Sequence, residues 1–213
     1  MIIDCISDLH GHYPQLEGGD LLIVAGDLTA RDSPHEYNQF ARWIRSFSYK
    51  KRIVIGGNHD NWIIESGNLG IEEASNLGEF EYLCDSGTEF QGLKIWGSPW
   101  TKTFEGMNPK CKAFTCDTEE ELAEKFALIP DDMDILITHS PPEDILDELE
   151  EEGKHVGSIA LFNRIKKIQP SLHVFGHIHS SYGIKKLNST TFINASHVNE
   201  RYEPVNAPIR IQL

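Results

Sequence analysis

The chain lacks long hydrophobic runs. Its longest apolar stretches, such as Leu21 to Ala25, are strand-sized and far too short to cross a bilayer. Met1-Ile2-Ile3-Asp4 opens directly into strand-forming residues, without the basic segment and apolar core of a secretory leader. Both features lead to the expectation of a cytoplasmic protein with no membrane partner. Cysteine is scarce and unpatterned. Cys5, Cys84, Cys111 and Cys116 form no CxxC pair, and Cys5 falls inside an apolar segment. Neither a disulfide framework nor a cysteine-bound zinc is expected from them. Basic residues are few: 19 Lys and Arg stand against 33 Asp and Glu, a formal net charge of −14. Such a chain lacks the broad cationic footprint of a protein that tracks a long phosphate backbone, so no extended nucleic-acid binding is expected. A small anionic substrate still fits, because bound cations reverse the local sign of a site. Internal repeats, linkers and low-complexity tracts are missing, and 213 residues suit a single domain over 1–213. No feature specifies an oligomeric state.

What is present is a series of short buried strands, each broken by polar residues. Ile53-Val54-Ile55 is a β-branched run that stops at Gly56-Gly57 and continues as Asn58-His59-Asp60. Glycines there permit a positive φ or a close backbone approach. Polar groups just past a strand sit where open α/β sheets build their sites. The same layout recurs. Ile2 to Ser7 runs into Asp8-Leu9-His10, and Asp20 to Ala25 into Gly26-Asp27. Asp134 to Thr138 runs into His139, and Leu172 to Phe175 into Gly176-His177-Ile178-His179. Between them, Ser33-Pro34 opens a helix expected to reach about Tyr49, and Asn61 to Glu65 forms a helical turn. Thr118 and Glu121 have capping-box spacing for a helix to about Leu128, and a further helix spans Gly157 to Ile168. Phe80 to Leu83, Thr88 to Gln91 and Leu93 to Trp96 alternate like a three-stranded meander, followed by a loop over Ser98 to Thr115. The acidic clusters Asp117 to Glu124 and Glu143 to Glu152 read as a solvated helix face and a loop. Gly183 to Leu187, Thr190 to Asn194 and Ile209 to Leu213 are strands. The pattern is an α/β fold of two mixed sheets with flanking helices and an antiparallel insertion.

Five strand ends thus carry Asp8 and His10, Asp27, Asn58 and His59, His139, and His177 and His179. Imidazole, carboxylate and amide oxygen suit divalent ions such as Mn²⁺, Fe²⁺ or Zn²⁺, and the missing thiolates argue against a structural zinc. The set is larger than one ion needs, which favours two.

As an ordered set, Asp8-Leu9-His10, Gly26-Asp27, Gly57-Asn58-His59-Asp60, Thr138-His139 and Gly176-His177-Ile178-His179 resemble the motifs of the calcineurin-like metallophosphoesterases. Ile95-Trp96-Gly97-Ser98-Pro99-Trp100, Thr138-His139-Ser140-Pro141-Pro142, the stretch from Leu172 to His179, and Phe192-Ile193-Asn194-Ala195-Ser196 further resemble the small metallophosphoesterase-domain-containing phosphodiesterases. The resemblance implies a four-layer α/β/β/α sandwich. It implies one metal on Asp8, His10, Asp27 and His179, and another on Asp27, Asn58, His139 and His177, with Asp27 as the bridge. His59 would face the substrate phosphate instead of a metal. The protein serine/threonine phosphatases carry Gly-Asp-x-x-Asp-Arg-Gly at the second motif. Here Ala30 and Asp32 break it and only Arg31 falls in place, which weakens that branch and leaves Arg31 as a loop residue or a phosphate contact. His12, His155, His173 and His197 match no ligand position and read as structural or surface residues.

The mechanism so implied is hydroxide attack on a phosphoester clamped by two divalent ions, Mn²⁺ first, with Fe, Zn or Ni as alternatives. Asp27 and Asn58 would hold the ions, His59 would protonate the leaving oxygen, and Asp60 would hold the turn. A small phosphodiester such as a cyclic nucleotide is the expected substrate. Trp100, Phe104 and Asn194 are candidates for base contacts, against a plainer role in packing. A phosphomonoester phosphatase is the first alternative and a non-catalytic metal-binding scaffold the second.

Overall fold

β-branched runs build the frame. A computed structural model of the chain describes all residues except 68, 105, 107 and 150–152, so parts of the expected 98–115 loop and of the 143–152 acidic cluster lie outside the described residues. The first half runs β1 (Ile2–Ile6), β2 (Gly19–Ala25), α1 (Pro34–Arg45), β3 (Tyr49–Ile55), α2 (Asn61–Glu65), α3 (Leu69–Gly78), β4 (Glu81–Tyr82), β5 (Ser86–Phe90), β6 (Leu93–Ser98) and β7 (Thr101–Lys102). The second runs β8 (Thr115–Cys116), α4 (Glu119–Phe126), β9 (Ile135–Thr138), β10 (Glu148–Leu149), β11 (Lys154–His155), α5 (Ile159–Ile168), β12 (Leu172–Phe175), β13 (Gly183–Leu187), β14 (Thr190–Asn194) and β15 (Ile209–Gln212).

One sheet has the order β15-β1-β2-β3-β4, parallel except for β15. The other has the order β13-β14-β12-β9-β6-β5, with a parallel centre and an antiparallel strand at each edge. Strand periodicity divides the side chains into layers. Ile3, Cys5, Leu21, Ile23, Ile53 and Ile55 of the first sheet pack against Ile95, Ile135, Ile137, Leu172, Val174 and Ile193 of the second. The alternate positions Leu22, Val24 and Val54 face Tyr37, Phe40, Ile44 and Ile71 of α1 and α3. Leu136, Phe175 and Phe192 face Leu122, Phe126, Leu161 and Ile165 of α4 and α5. The result is the four-layer α/β/β/α sandwich that the resemblance implies. Each fully buried Ile, Leu or Phe contributes about 1.5–3 kcal/mol, so the three apolar layers are ample to hold polar loops at their margin.

Several elements differ from the sequence reading. The first helix stops at Arg45 and β3 starts at Tyr49. Arg52 donates to the carbonyls of Ile44 and Phe47, at 3.1 and 2.6 Å, which gives the helix end its partners before Phe47 can extend it. Helix α3 has no counterpart in that reading. The three-stranded meander is not formed: β4 lies parallel to β3 in the first sheet, and only β5 and β6 make a hairpin in the second. Within the expected loops, β7 pairs with β8 and β10 with β11. The capping box of Thr118 and Glu121 is present, as is the stop after Ile168, where Gln169 is left-handed. All four cysteines are free thiols. No helix among the described residues is long and apolar enough to cross a membrane.

Candidate metal centre

The carboxyl ends of β1, β2 and β3 meet those of β9 and β12 at one margin of the sandwich. A backbone crossing pinches the sheets there: Ser7 N donates to the Ala195 carbonyl at 2.8 Å, and His197 N donates to the Ser7 carbonyl at 2.8 Å. Gly176 N donates to the His139 carbonyl at 3.1 Å, tying β12 to β9 at the same level. The loops pass so close that a Cβ on Gly57 would stand 2.2 Å from Asp27 Oδ1, and one on Gly176 would stand 2.1 Å from Asp8 Oδ2. Four candidate ligands have left-handed backbones: Asp8 (φ 51°), His10 (42°), Asp27 (54°) and His177 (70°). Such conformations persist where surrounding contacts over-determine them, and they cluster at functional sites.

The side chains converge. Asp27 Oδ2 lies 3.5 Å from His10 Nε2, 3.5 Å from His139 Nε2 and 3.9 Å from His59 Nε2. Asp8 Oδ1 lies 3.4 Å from His179 Nε2, and Asn58 Oδ1 lies 3.0 Å from His139 Nε2. Among the described residues, three groups have mutually close ligand atoms: Asp8, His10 and His179; His10, Asp27 and His59; Asp8, Asp27 and His139. His177 belongs to none of the three, but its ring meets that of His139 at 5.0 Å. His59 lies beside Asp27. Its backbone N–H donates to Asp27 Oδ1 at 2.9 Å, which brings its ring alongside.

The hydrogen bonds around the centre fix which atoms face inward. His139 Nδ1 donates to the Ala25 carbonyl at 2.9 Å and His179 Nδ1 to the Asn199 carbonyl at 3.2 Å. A carbonyl only accepts, so Nδ1 carries the hydrogen and Nε2 is left as a lone pair in each neutral ring, the arrangement usual for metal-ligating histidine. Asn58 Nδ2 donates to the Cys111 carbonyl at 3.2 Å, which aims Oδ1 at His139. His139 Nε2, Asn58 Oδ1 and Asp27 Oδ2 therefore form an acceptor cluster, and acceptors so close require a positive charge among them. Without an ion, a proton takes that place. Burial alone would depress the His139 pKa, but the Asp27 carboxylate outweighs it and pushes it up to about 9. Burial disfavours the Asp27 and Asp8 carboxylates too, yet the neighbouring histidines hold both below the usual range. Burial keeps His10 neutral, down to about 4, and His177, down to about 3, with His139 adding to the latter. His10 Nε2 is buried with no hydrogen-bond partner. Among the described residues neither Asp8 nor Asp27 has a lysine or arginine partner; their close cationic neighbours are histidines. This donor set fits divalent cations.

Other residues named from the sequence fall into place around the centre. The buried Asp60 carboxylate accepts from the backbone N–H of Gly57, Asp27 and Leu28 and from the Tyr37 hydroxyl. Asn194 is fully engaged, donating to the Leu146 and Ile178 carbonyls and accepting from Ser196, so it is not open to a base. Trp100 Nε1 donates to Asp85, and Lys125 lies over its ring, which makes it a packing residue. Phe104 is exposed. Exposed His155 bonds Asp147, buried His173 bonds Thr138, and His197 bonds the Asn206 carbonyl. Arg31 and His12 line a cleft with His10 and His59. Sequence reasoning missed Cys111, whose Sγ lies 3.4 Å from His59 Nδ1, and Ser196, whose hydroxyl donates to Asp8 Oδ2 at 2.8 Å. It also missed Tyr202 on the cleft wall. Ser196 lies in a stretch that carries the resemblance, the one signal that could have flagged it.

Comparison with known proteins shows which family the chain belongs to. The calcineurin-like phosphoesterase family matches residues 1–181. A human protein, metallophosphoesterase domain-containing protein 1, is 38% identical over 232 residues, covering 98% of this chain and 70% of its own. A Caenorhabditis elegans protein of the UPF0046 group is 33% identical over 218 residues, covering 96% of this chain and 72% of its own. One solved structure superposes with a TM-score of 0.69 at 15% identity, over 91% of this chain and 89% of that one. Another, from Thermus thermophilus, gives a TM-score of 0.57 at 15% identity, over 91% and 88%. At that identity these two speak for the fold alone.

Proposed function

Because this chain belongs to the calcineurin-like phosphoesterase family, and is in that sense a metal-dependent phosphoester hydrolase, we propose that it holds two divalent cations and acts on small phosphodiesters such as cyclic nucleotides. The observation that supports this most is Asp27. Its Oδ2 is shared at 3.5 Å between His10 Nε2 and His139 Nε2, as a bridging carboxylate requires. Asp8, His10, Asp27 and His179 would hold one ion; Asp27, Asn58, His139 and His177 would hold the other. Oxygen and imidazole donors suit Mn²⁺ first, with Fe, Zn or Ni as alternatives. Ions bound there supply Lewis acidity toward a phosphoryl group and activate the attacking water.

The chain's own residues supply the rest. Asp60 holds the Asp27 and Asn58 turns in register through four donors. His59 is set beside the centre by its main-chain bond to Asp27, and Cys111 contacts its Nδ1. Its Nε2 is thereby available to hold a proton for the leaving oxygen. A net charge of −14 repels a dianionic monoester more than a monoanionic diester, which favours the diester.

A second reading, phosphomonoester hydrolysis, draws on Arg31, a cleft-lining cation able to offset a dianion. The Mn²⁺-loaded protein should cleave bis(p-nitrophenyl) phosphate faster than p-nitrophenyl phosphate at physiological salt. A large preference for the monoester would put the second reading first.

A further inference from the structure

The cleft beside the histidines is much larger than a phosphoryl group needs. It encloses about 1020 Å³, with His10, His59, Arg31, Lys110 and Tyr202 among its walls. Cavities of roughly 300–1,000 Å³ take whole small-molecule ligands. The organic part of a diester therefore has room to lie against the protein.

Tyr202 is the aromatic residue placed to meet it. Its ring stands nearly perpendicular to His10, with centroids 4.8 Å apart, and contacts His179 at 5.6 Å and His59 at 6.2 Å. Burial does not explain the position, because Tyr202 remains 48% exposed. Its backbone is left-handed, φ 60°, a conformation that a bulky side chain rarely adopts. Asn199 enforces that conformation. Its carbonyl accepts from Tyr202 N at 2.8 Å, and its side chain accepts from the backbone N–H of Arg201 and Glu203 at 2.9 and 3.0 Å. Its amide donates to Glu203 Oε2 at 2.8 Å, and its own N–H to the Glu203 carbonyl at 3.0 Å. The Asn199 carbonyl also accepts from His179 Nδ1, so one residue fixes both a candidate ligand and the ring beside it. A turn this tightly held, with a strained and half-exposed aromatic residue at its tip, serves to present the ring.

We propose that Tyr202 determines specificity, its ring forming the wall against which the planar base of a nucleoside phosphodiester packs while the phosphate lies at the histidine cluster. This rests on the reading of the site as a hydrolase of small phosphodiesters and adds to it the residue that meets the organic part of the substrate. Aromatic stacking on a base tolerates any base, since each has a π face. Arg31 and Lys110 on the other walls suit an anionic ligand without reading the base.

The test compares two competitive ligands that share a cyclic phosphodiester, a nucleoside cyclic phosphate and the cyclic phosphate of glycerol, which has no base. Inhibition constants against bis(p-nitrophenyl) phosphate hydrolysis are measured for the Mn²⁺-loaded wild type, Tyr202→Phe and Tyr202→Ala. The wild type should favour the nucleoside ligand. Tyr202→Ala should reduce that preference about tenfold, the scale of one base–aromatic stack, and Tyr202→Phe should keep it within about twofold. An unchanged preference in Tyr202→Ala, or a loss in Tyr202→Phe equal to that in Tyr202→Ala, would overturn the proposal. Failure of the wild type to hydrolyse any phosphoester would instead remove the function on which it rests.

Discussion

Asp60 and Asp27 are joined through the main chain: the buried Asp60 carboxylate accepts the Asp27 N–H at 3.0 Å, as it accepts the Gly57 N–H at 2.8 Å. One side chain thus sets the distance between the loop after β2 and the loop after β3, and with it the place of Asp27 relative to Asn58. The three backbone N–H groups that reach Asp60 need an acceptor, whereas the Tyr37 hydroxyl also has Asp32 Oδ1 at 2.9 Å.

Asp60→Asn puts an NH₂ group opposite at least one of those donors. Leaving a buried N–H unpaired costs about 1–3 kcal/mol, so the variant should unfold at lower denaturant by that amount. Displacement of Asp27 should also reduce hydrolysis about 10²-fold, the scale of a 1 Å misplacement. Urea unfolding of the metal-free protein and rates at saturating metal check the two effects separately.

His173 gives a pH dependence independent of the centre. It is packed against Phe175 and Phe192, with ring centroids at 4.8 and 5.8 Å. Its Nε2 meets Thr138 Oγ1 at 2.8 Å; that hydroxyl donates to the Ser140 carbonyl, so the ring donates and Nδ1 has no partner. Burial holds its pKa down to about 3, against 6.5 for the free side chain. Below about pH 6.5 the unfolded chain takes up a proton that the folded chain refuses, and stability falls as the pH falls toward 3. Between pH 7 and 5.5 this histidine should cost about 1 kcal/mol. The stability difference between wild type and His173→Phe should shift by that amount in favour of the variant, measured as urea midpoints at the two pH values.

His59→Ala should show a penalty that depends on the leaving group. p-Nitrophenolate leaves as a stable anion, so the variant should lose little on aryl esters. An alkoxide needs a proton, and help of about 10²- to 10⁴-fold should disappear there. Equal losses on aryl and alkyl esters would confine His59 to offsetting phosphoryl charge.

Much of this was legible because strands with β-branched cores are bounded sharply by Gly, Asp, Asn and His, and strand ends are where such sheets place their ligands. What escaped has identifiable causes. Helix α3 contains Gly70 and Gly78, which weaken any helical reading, yet Gly70 packs so closely on Trp62 that a Cβ would stand 1.9 Å from its ring. Alternation from Phe80 to Trp96 described strands correctly but not their partners, since Glu81–Tyr82 pairs with β3 across the fold. Cys111 and Tyr202 reach the centre from irregular loops. Their positions depend on Asn58 and Asn199 side-chain bonds that no periodicity announces.

In the proposed site Asp27 joins two ions. Mn²⁺-loaded protein, dialysed free of excess metal, should contain two ions per chain and give the paramagnetic resonance spectrum of an exchange-coupled pair. Asp27→Ala should lose the coupling while its circular dichroism stays native. A wild-type protein that binds one Mn²⁺ per chain, with only the spectrum of an isolated ion at every loading, would contradict it.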